Sequence, residues 1–256
     1  DNSWPRQQLA NILATLPDDV RASVKATELD YHPGFANHPH IATLPGHKKW
    51  IEYDLFGTGY GWTALPCYLG DEISGRLSWA LSAAENEIEA ITSRVSWQWL
   101  PDSRVMDSAN AINLFGLTAA NQAADAALPA TFDRWAEHHQ LGFRSLQDKH
   151  QLSAIVHASY DWLCKTPNLL GRRLHYQSQI PESIAQAQQL LHMDTRSANW
   201  LHAWQPLMPT DDPELGKEQR ERMALEKEAA CFLASRTLQN LRELMPRITC
   251  PDDTLA

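Results

Sequence analysis

The chain of 256 residues contains few of the features that identify common classes of protein. Its four cysteines form no Cys-x-x-Cys pair, and four in this length are too sparse for a disulfide framework. We therefore expect reduced thiols and a cytoplasmic protein. No apolar run approaches the roughly 18 residues of a membrane-spanning helix, so no membrane contact is expected.

Glycine, positive charge and catalytic motifs are scarce as well. Only 11 glycines are present, which argues against many tight β turns. The 22 basic residues are outnumbered by 31 acidic ones, so the formal net charge is −9 and repels nucleic-acid phosphates. There is no Gly-x-Ser-x-Gly motif, and the glycines at 57–61 lack the Lys-Ser or Lys-Thr of a phosphate-binding loop. No cofactor is predicted.

Helical periodicity is the most prominent pattern that is present. The strongest example begins near Gly70, keeps a helical period for about six turns and predicts one helix that ends before Pro101. Its apolar positions are Ile73, Leu77, Ala80, Ala84, Ile88, Ile91 and Val95. Further helical patterns cover 118–127, 130–141, 144–164 and 213–245. The sequence therefore predicts an all-α protein, a single domain over 1–256 with about eight to ten helices.

An irregular insertion is expected near residues 30–66. Residues 30–50 contain three prolines and two glycines, which interrupt a helix. Ile51, Tyr53 and Leu55 then alternate with polar residues as a strand does. A small hairpin in this insertion is the only β structure that the sequence predicts.

Four histidines in the insertion are candidate metal ligands, because neutral imidazole commonly binds zinc and other transition metals. His38 and His40 would present two ligands on one side of an extended segment. The set lacks the fixed spacing of known metal motifs, so a loop that binds no metal is the alternative reading. The four residues are His32, His38, His40 and His47.

A second candidate metal site combines two predicted helices. His150 and His157 share one face of the 144–164 helix, and Glu85 and Glu89 share one face of the 73–95 helix. Facing helices build di-metal sites from such side chains, although the usual Glu-x-x-His spacing is absent. Half-buried histidines that bond to neighbouring groups are the alternative.

Residues 117–135 are similar to a helix-turn-helix. The second helix would expose a mixed set of charges toward DNA. That face is too acidic for a groove lined with phosphates, and two packed helices are common in any helical protein. The exposed set would be Asp133, Arg134, Glu137, His138 and His139.

Tryptophan is abundant, with ten in the chain, and it is enriched at binding hot spots. Trp200 and Trp204 share one helix face and are candidate partner-binding residues. Arg220 and Arg222 lie in a mixed-charge run over 217–228, which is either a solvated helix face or an arm that docks another chain.

These features together predict a non-enzymatic protein–protein interaction module: an adaptor, an inhibitor or a subunit of an assembly. The absence of catalytic motifs, the acidic charge and the tryptophan content favour it. Two alternatives stay open. One is a metal-dependent helical enzyme that uses the loop histidines, and the other is a regulator that contacts DNA through 117–141.

Overall fold

A computed structural model describes residues 6–27, 36–44, 46–55, 66–97, 100–122, 128–166, 168–169, 172–173 and 217–251. Their contacts divide between two compact units. The first comprises Asp1–Phe56 and Leu69–Trp135, and the second comprises Gly57–Tyr68 and Ala136–Ala256. Among these described ranges, no helix combines the length and apolarity needed to cross a membrane.

A parallel sheet lies at the centre of the first unit. Its strands are β1 (Ala22–Lys25), β2 (Lys49–Asp54) and β3 (Ile88–Arg94), in the order β1-β2-β3 with both pairings parallel. The short helix α2 (His40–Thr43) lies between β1 and β2, and α3 (Gly70–Ala84) lies between β2 and β3. Each connection is long enough for the crossover that parallel strands require.

The all-α prediction is therefore wrong, and the chain has a mixed α/β fold. The described residues contain seven α-helices rather than eight to ten, together with this parallel sheet. The alternation at Ile51 and Tyr53 did indicate a strand, but β2 pairs with β1 and β3 rather than within a hairpin. Partners that lie far away in sequence leave no local signal at β2.

The expected long helix divides at Ala84. The predicted helical positions through Ala84 are buried on α3, but a 3-10 turn at Glu85–Glu87 then leads into β3. Ile88 and Ile91 fit a helical spacing by coincidence, and they are β-branched residues that favour strands. Leu77 and Ile88 consequently share no helix stripe, and Ile88 is only half-buried.

The rest of the first unit completes its core. It contains α1 (Arg6–Leu13), α4 (Ile112–Gln122), α5 (Leu128–His138) as far as Trp135, and an antiparallel pair β4 (Ser96–Trp97) and β5 (Leu100–Arg104). Helices α3 and α4 are fastened at their starts, where the Leu69 amide donates to Asn113 Oδ1 at 2.8 Å. The fully buried core side chains include Ile41, Ile51, Leu55, Ile73, Ile112, Phe132 and Trp135.

The second unit is built on two helices, α6 (Leu146–Lys165) and α7 (Lys217–Leu244), which pack on each other. The strand pair β6 (Gly142–Phe143) and β9 (Ile248–Thr249) is antiparallel, as is the pair β7 (Asn168–Leu169) and β8 (Arg172–Arg173). Ser145 caps α6 by accepting from the Asp148 amide at 3.1 Å. Buried apolar residues here include Leu152, Ile155, Trp162, Leu163, Ala230 and Leu244.

Candidate functional site

The parallel sheet has two faces of different character. Lys49, Ile51 and Tyr53 of β2 are buried on one face. The alternate residues of β2 lie on the other face, where Trp50 is 40% exposed. In-register neighbours on β1 and β3 extend that second face, which we call the polar sheet face: Ser23, Lys25, Trp50, Glu52, Asp54, Ala90, Thr92 and Arg94.

Charge on this face is unusual for a parallel sheet. Such sheets are normally buried on both faces, and their strands read as continuous apolar runs. Here the central strand carries two carboxylates, Glu52 and Asp54, which are two residues apart on β2. Their backbone positions are therefore about 6.6 Å apart along the strand. A parallel sheet that is covered on both faces would carry apolar residues at these positions.

The neighbouring strands place a basic residue beside each carboxylate. Lys25 of β1 is in register with Glu52, and Arg94 of β3 is in register with Asp54. The Arg94 guanidinium also lies 3.7 Å from Glu52, and these two side chains are 26% and 29% exposed. Asp54 is buried, with 6% of its surface exposed. The two carboxylates of the central strand have one cation on either side, so the four formal charges sum to zero.

The position of these charges is also significant. Lys25, Asp54 and Arg94 are the last residues of their strands, so the cluster lies at the carboxyl end of the sheet. In open and closed α/β sheets, ligands bind outside the carboxyl ends of parallel strands. The partly exposed Glu52 carboxylate can accept hydrogen bonds from a ligand there, and the two cations can donate them.

Trp50 is held in one orientation on the same face. Its indole N–H donates to Glu89 Oε2 at 3.0 Å, and Arg21 donates to both oxygens of Glu89 at 2.5 and 2.9 Å. The hydrogen bonds from Arg21 and then from Trp50 lower the pKa of Glu89 to about 2. An exposed indole that is fixed in this way is preorganised for contact with a ligand.

The opposite face contains a second polar cluster, under α3. Arg76 pairs with Glu72 one turn earlier and donates to Asn37 Oδ1 at 2.8 Å. Burial raises the pKa of Glu72, although its Arg76 partner acts in the other direction. Burial also raises the pKa of Tyr53, whose hydroxyl has no hydrogen-bond partner among the described residues. These contacts fasten the segment before α2 to α3, which is a structural role.

The amino-terminal end of the sheet contains a third ion pair. The Lys49 side chain is 1% exposed and pairs with Glu87, which is 36% exposed and accepts from the Gly46 amide at 3.3 Å. Burial opposes the ionised form of Glu87, but hydrogen bonds from Lys49 and Gly46 outweigh it, and the pKa of Glu87 is lowered. Because ligand sites lie at the opposite end of such sheets, we assign this pair to stability.

The predicted histidine ligands occupy different environments. His47 is buried, and its ring nitrogens lie 2.7 Å from the Leu13 carbonyl and 3.1 Å from the Val20 carbonyl. The rings of His38 and His40 lie 4.8 Å apart at their centroids, and His32 lies outside the described residues. Within the described part of the chain, no three His, Cys, Asp or Glu residues are grouped to hold a metal ion. Metal binding by these histidines stays a prediction.

The structure matches only part of two further predictions, the metal site between two helices and the segment that is similar to a helix-turn-helix. Glu89 lies on β3 rather than on a helix, so the expected helix face with Glu85 does not form, while His150 and His157 are exposed on α6. In the segment that is similar to a helix-turn-helix, the four predicted DNA-facing residues on α5 are exposed, whereas His139, which follows the helix, is buried.

The predicted partner-binding residues fall partly outside the described structure. Trp200 and Trp204 lie in 174–216, and the side chain of Arg220 is also outside the described part. Arg222 is exposed on α7. Sequence reasoning missed Leu225 and Phe232 of the same helix, which are 63% and 64% exposed. Their seven-residue spacing was the available signal, since it places them on one face.

Sequence reasoning also missed the charged residues of the polar sheet face. The signal was the segment 49–54, in which charged and apolar residues alternate around Ile51 and Tyr53. Without the neighbours from β1 and β3, Glu52 and Asp54 resemble ordinary solvent-facing residues of an edge strand. Comparison with models of known protein families, and with curated protein sequences, finds no match to this chain. The function is therefore inferred from these residues and their geometry.

Proposed function

We propose that the first unit binds a small polar molecule on the polar sheet face. The observation that carries this proposal is the group of four charged residues at the carboxyl end of the parallel sheet, where a sheet covered on both faces would carry apolar residues. Glu52 supplies an acceptor, and Lys25 and Arg94 supply donors, while the buried Asp54 balances the charge of Arg94 beside it.

The balance of charge favours a ligand without net charge. The two carboxylates of the central strand have one cation on either side, so a strongly anionic or cationic ligand meets as many like charges as opposite ones. A zwitterion, or an uncharged molecule with several hydroxyl or amide groups, satisfies both kinds of side chain. Trp50 offers such a molecule an apolar surface beside the charges.

Ligand-observed NMR with the full chain tests this proposal. The probe is a panel of amino acids, betaines, amides and polyols, together with dicarboxylates and diamines. We expect saturation transfer to members without net charge, and its loss in Glu52→Gln. Glu137→Gln, an exposed residue of α5, is the matched control and should leave the transfer unchanged. Equal transfer in both variants, or transfer to no compound, would contradict the proposal.

Protein–protein interaction through α7 is a second candidate function, and Leu225 and Phe232 favour it. Two large apolar side chains more than 60% exposed on one helix face are typical of an interaction surface. A partner protein captured by the wild-type chain should be lost from the Leu225→Asp/Phe232→Asp variant. Retention of that partner by the folded variant would assign its binding to another surface.

A further inference from the structure

Helix α7 has one face that packs on α6 and another that carries exposed apolar residues. Ala230 and Leu244 are buried on the packed face. Leu225 and Phe232 lie elsewhere around the helix, and both are exposed. Seven residues separate them, which is two helical turns and a rise of about 10.5 Å. A surface helix normally needs only one apolar face, so this second stripe requires another explanation.

Charged residues at helical spacing flank the two apolar side chains. Glu221 precedes Leu225 by four residues, Glu228 lies between the two apolar positions, and Arg236 follows Phe232 by four residues. All of them are exposed on the same side of α7. We call this set the outer stripe: Glu221, Leu225, Glu228, Ala229, Phe232 and Arg236.

We propose that the outer stripe pairs with the outer stripe of a second copy of this chain, with the two α7 helices antiparallel. A two-fold axis between Glu228 and Ala229 relates the copies. It places Leu225 of each copy opposite Phe232 of the other, because the two residues are equally distant from the axis. Each copy contributes two apolar side chains, so the interface buries four in total.

The charges of the outer stripe favour this register. The same axis places Glu221 opposite Arg236 of the second copy, and the symmetry repeats that pair at the other end. An isologous interface requires such self-complementarity, whereas a different partner protein does not. One contact is unfavourable, since Glu228 lies beside Glu228 of the second copy. We therefore expect reversible association that is weaker than it would be without this carboxylate.

This inference rests on the second proposed function, since it names the partner for the same surface. Sedimentation of the full chain over a range of concentrations tests it. The wild type should associate to dimers, Leu225→Asp should raise the dissociation constant at least about tenfold, and Glu228→Gln should lower it. Leu238→Asp is the matched control, because Leu238 is 49% exposed but lies about 140° around the helix from Leu225.

Charge reversal tests the register independently of apolar burial. Glu221→Arg alone should weaken the dimer, because it opposes Arg236 of the second copy. The double variant Glu221→Arg/Arg236→Glu should restore association toward that of the wild type, since it exchanges the two charges. A double variant as weak as the single one would overturn the proposed register.

Cysteine cross-linking distinguishes an antiparallel pair from a parallel one. In a Cys231→Ser/Cys250→Ser background, Ala229→Cys lies next to the axis, and packed helices bring such Cα atoms within about 6 Å. It should form an intermolecular disulfide on mild oxidation. Leu225→Cys should not, because an antiparallel pair separates its two copies by about 10.5 Å along the helix axis. Preferential cross-linking at residue 225 would overturn the proposal.

A wild-type chain that stays monomeric at all concentrations would also overturn it. If that monomer still captured another protein, and lost it in Leu225→Asp/Phe232→Asp, the second proposed function would stand without self-pairing. Binding at the polar sheet face belongs to the other unit, so these results leave it untouched.

Discussion

The ion pair between Lys49 and Glu87 gives the sharpest prediction about stability, because its two members differ so much in exposure. The Lys49 side chain is 1% exposed and that of Glu87 is 36% exposed. Removing the carboxylate leaves an ammonium group buried without its counter-charge. Breaking a buried pair typically costs about 3–5 kcal/mol, and water that reaches the Glu87 side reduces this. We expect Glu87→Gln to lower the free energy of unfolding by about 2–3 kcal/mol.

Removing the other member should have a smaller effect. Lys49→Met keeps most of the buried volume and deletes the buried charge, and Glu87 is exposed enough to stay hydrated. We expect a change within about 1 kcal/mol, and a Lys49→Met/Glu87→Gln variant of similar stability to Lys49→Met. Urea unfolding of the full chain measures all three. Equal losses for the two single variants, or additive losses in the double variant, would refute this reasoning.

The same pair predicts a pH dependence. The pKa of Glu87 is lowered in the folded chain, so its contribution to stability is fully present above the unfolded value of about 4.3. That contribution is lost as the pH falls through the lower folded value. As the pH falls below about 5, the wild type should therefore lose free energy of unfolding more steeply than Lys49→Met does.

Three further predictions concern other parts of the first unit. Leu77→Ala should lower the free energy of unfolding by about 2–5 kcal/mol, whereas Leu81→Ala on the exposed side of α3 should change it by less than about 0.5 kcal/mol; equal effects would contradict the assigned faces. His47→Ala should lower the free energy of unfolding by about 1–3 kcal/mol, because two backbone carbonyls lose their contacts with the ring. An unchanged free energy of unfolding would mean that these contacts do not stabilise the fold. NMR titration should find the Glu89 carboxyl ionised down to about pH 2, and Arg21→Gln should raise its pKa; an ordinary pKa in the wild type would mean that these hydrogen bonds do not persist in solution.

Local patterns predicted the correct element where the spacing of the apolar residues coincides with their burial in the fold. The apolar stripe through Ile73, Leu77 and Ala84 predicted α3, because period and burial coincide there. The alternation around Ile51 predicted a strand for the same reason. The error began at Ile88, whose spacing continued the helical stripe although its β-branched side chain favours extended backbone.

The topology and the candidate site were not predictable from such local patterns. Each strand of a parallel sheet pairs with residues more than twenty positions away, and no single segment records that pairing. Glu52 has ordinary neighbours in sequence, and only the pairing of β2 with β1 and β3 places Lys25 and Arg94 beside it. Asp54 is likewise buried only in the assembled sheet, and its neighbours in sequence do not indicate this.

Binding at the polar sheet face is most directly tested by amide chemical shifts of the full chain titrated with the panel members that carry no net charge. We expect saturable shifts at Lys25, Glu52, Asp54 and Arg94, the charged residues of that face. Glu52→Gln should abolish the shifts, and Glu137→Gln should leave them in place. Shifts confined to other residues, or none at millimolar concentrations, would contradict a ligand site on this sheet.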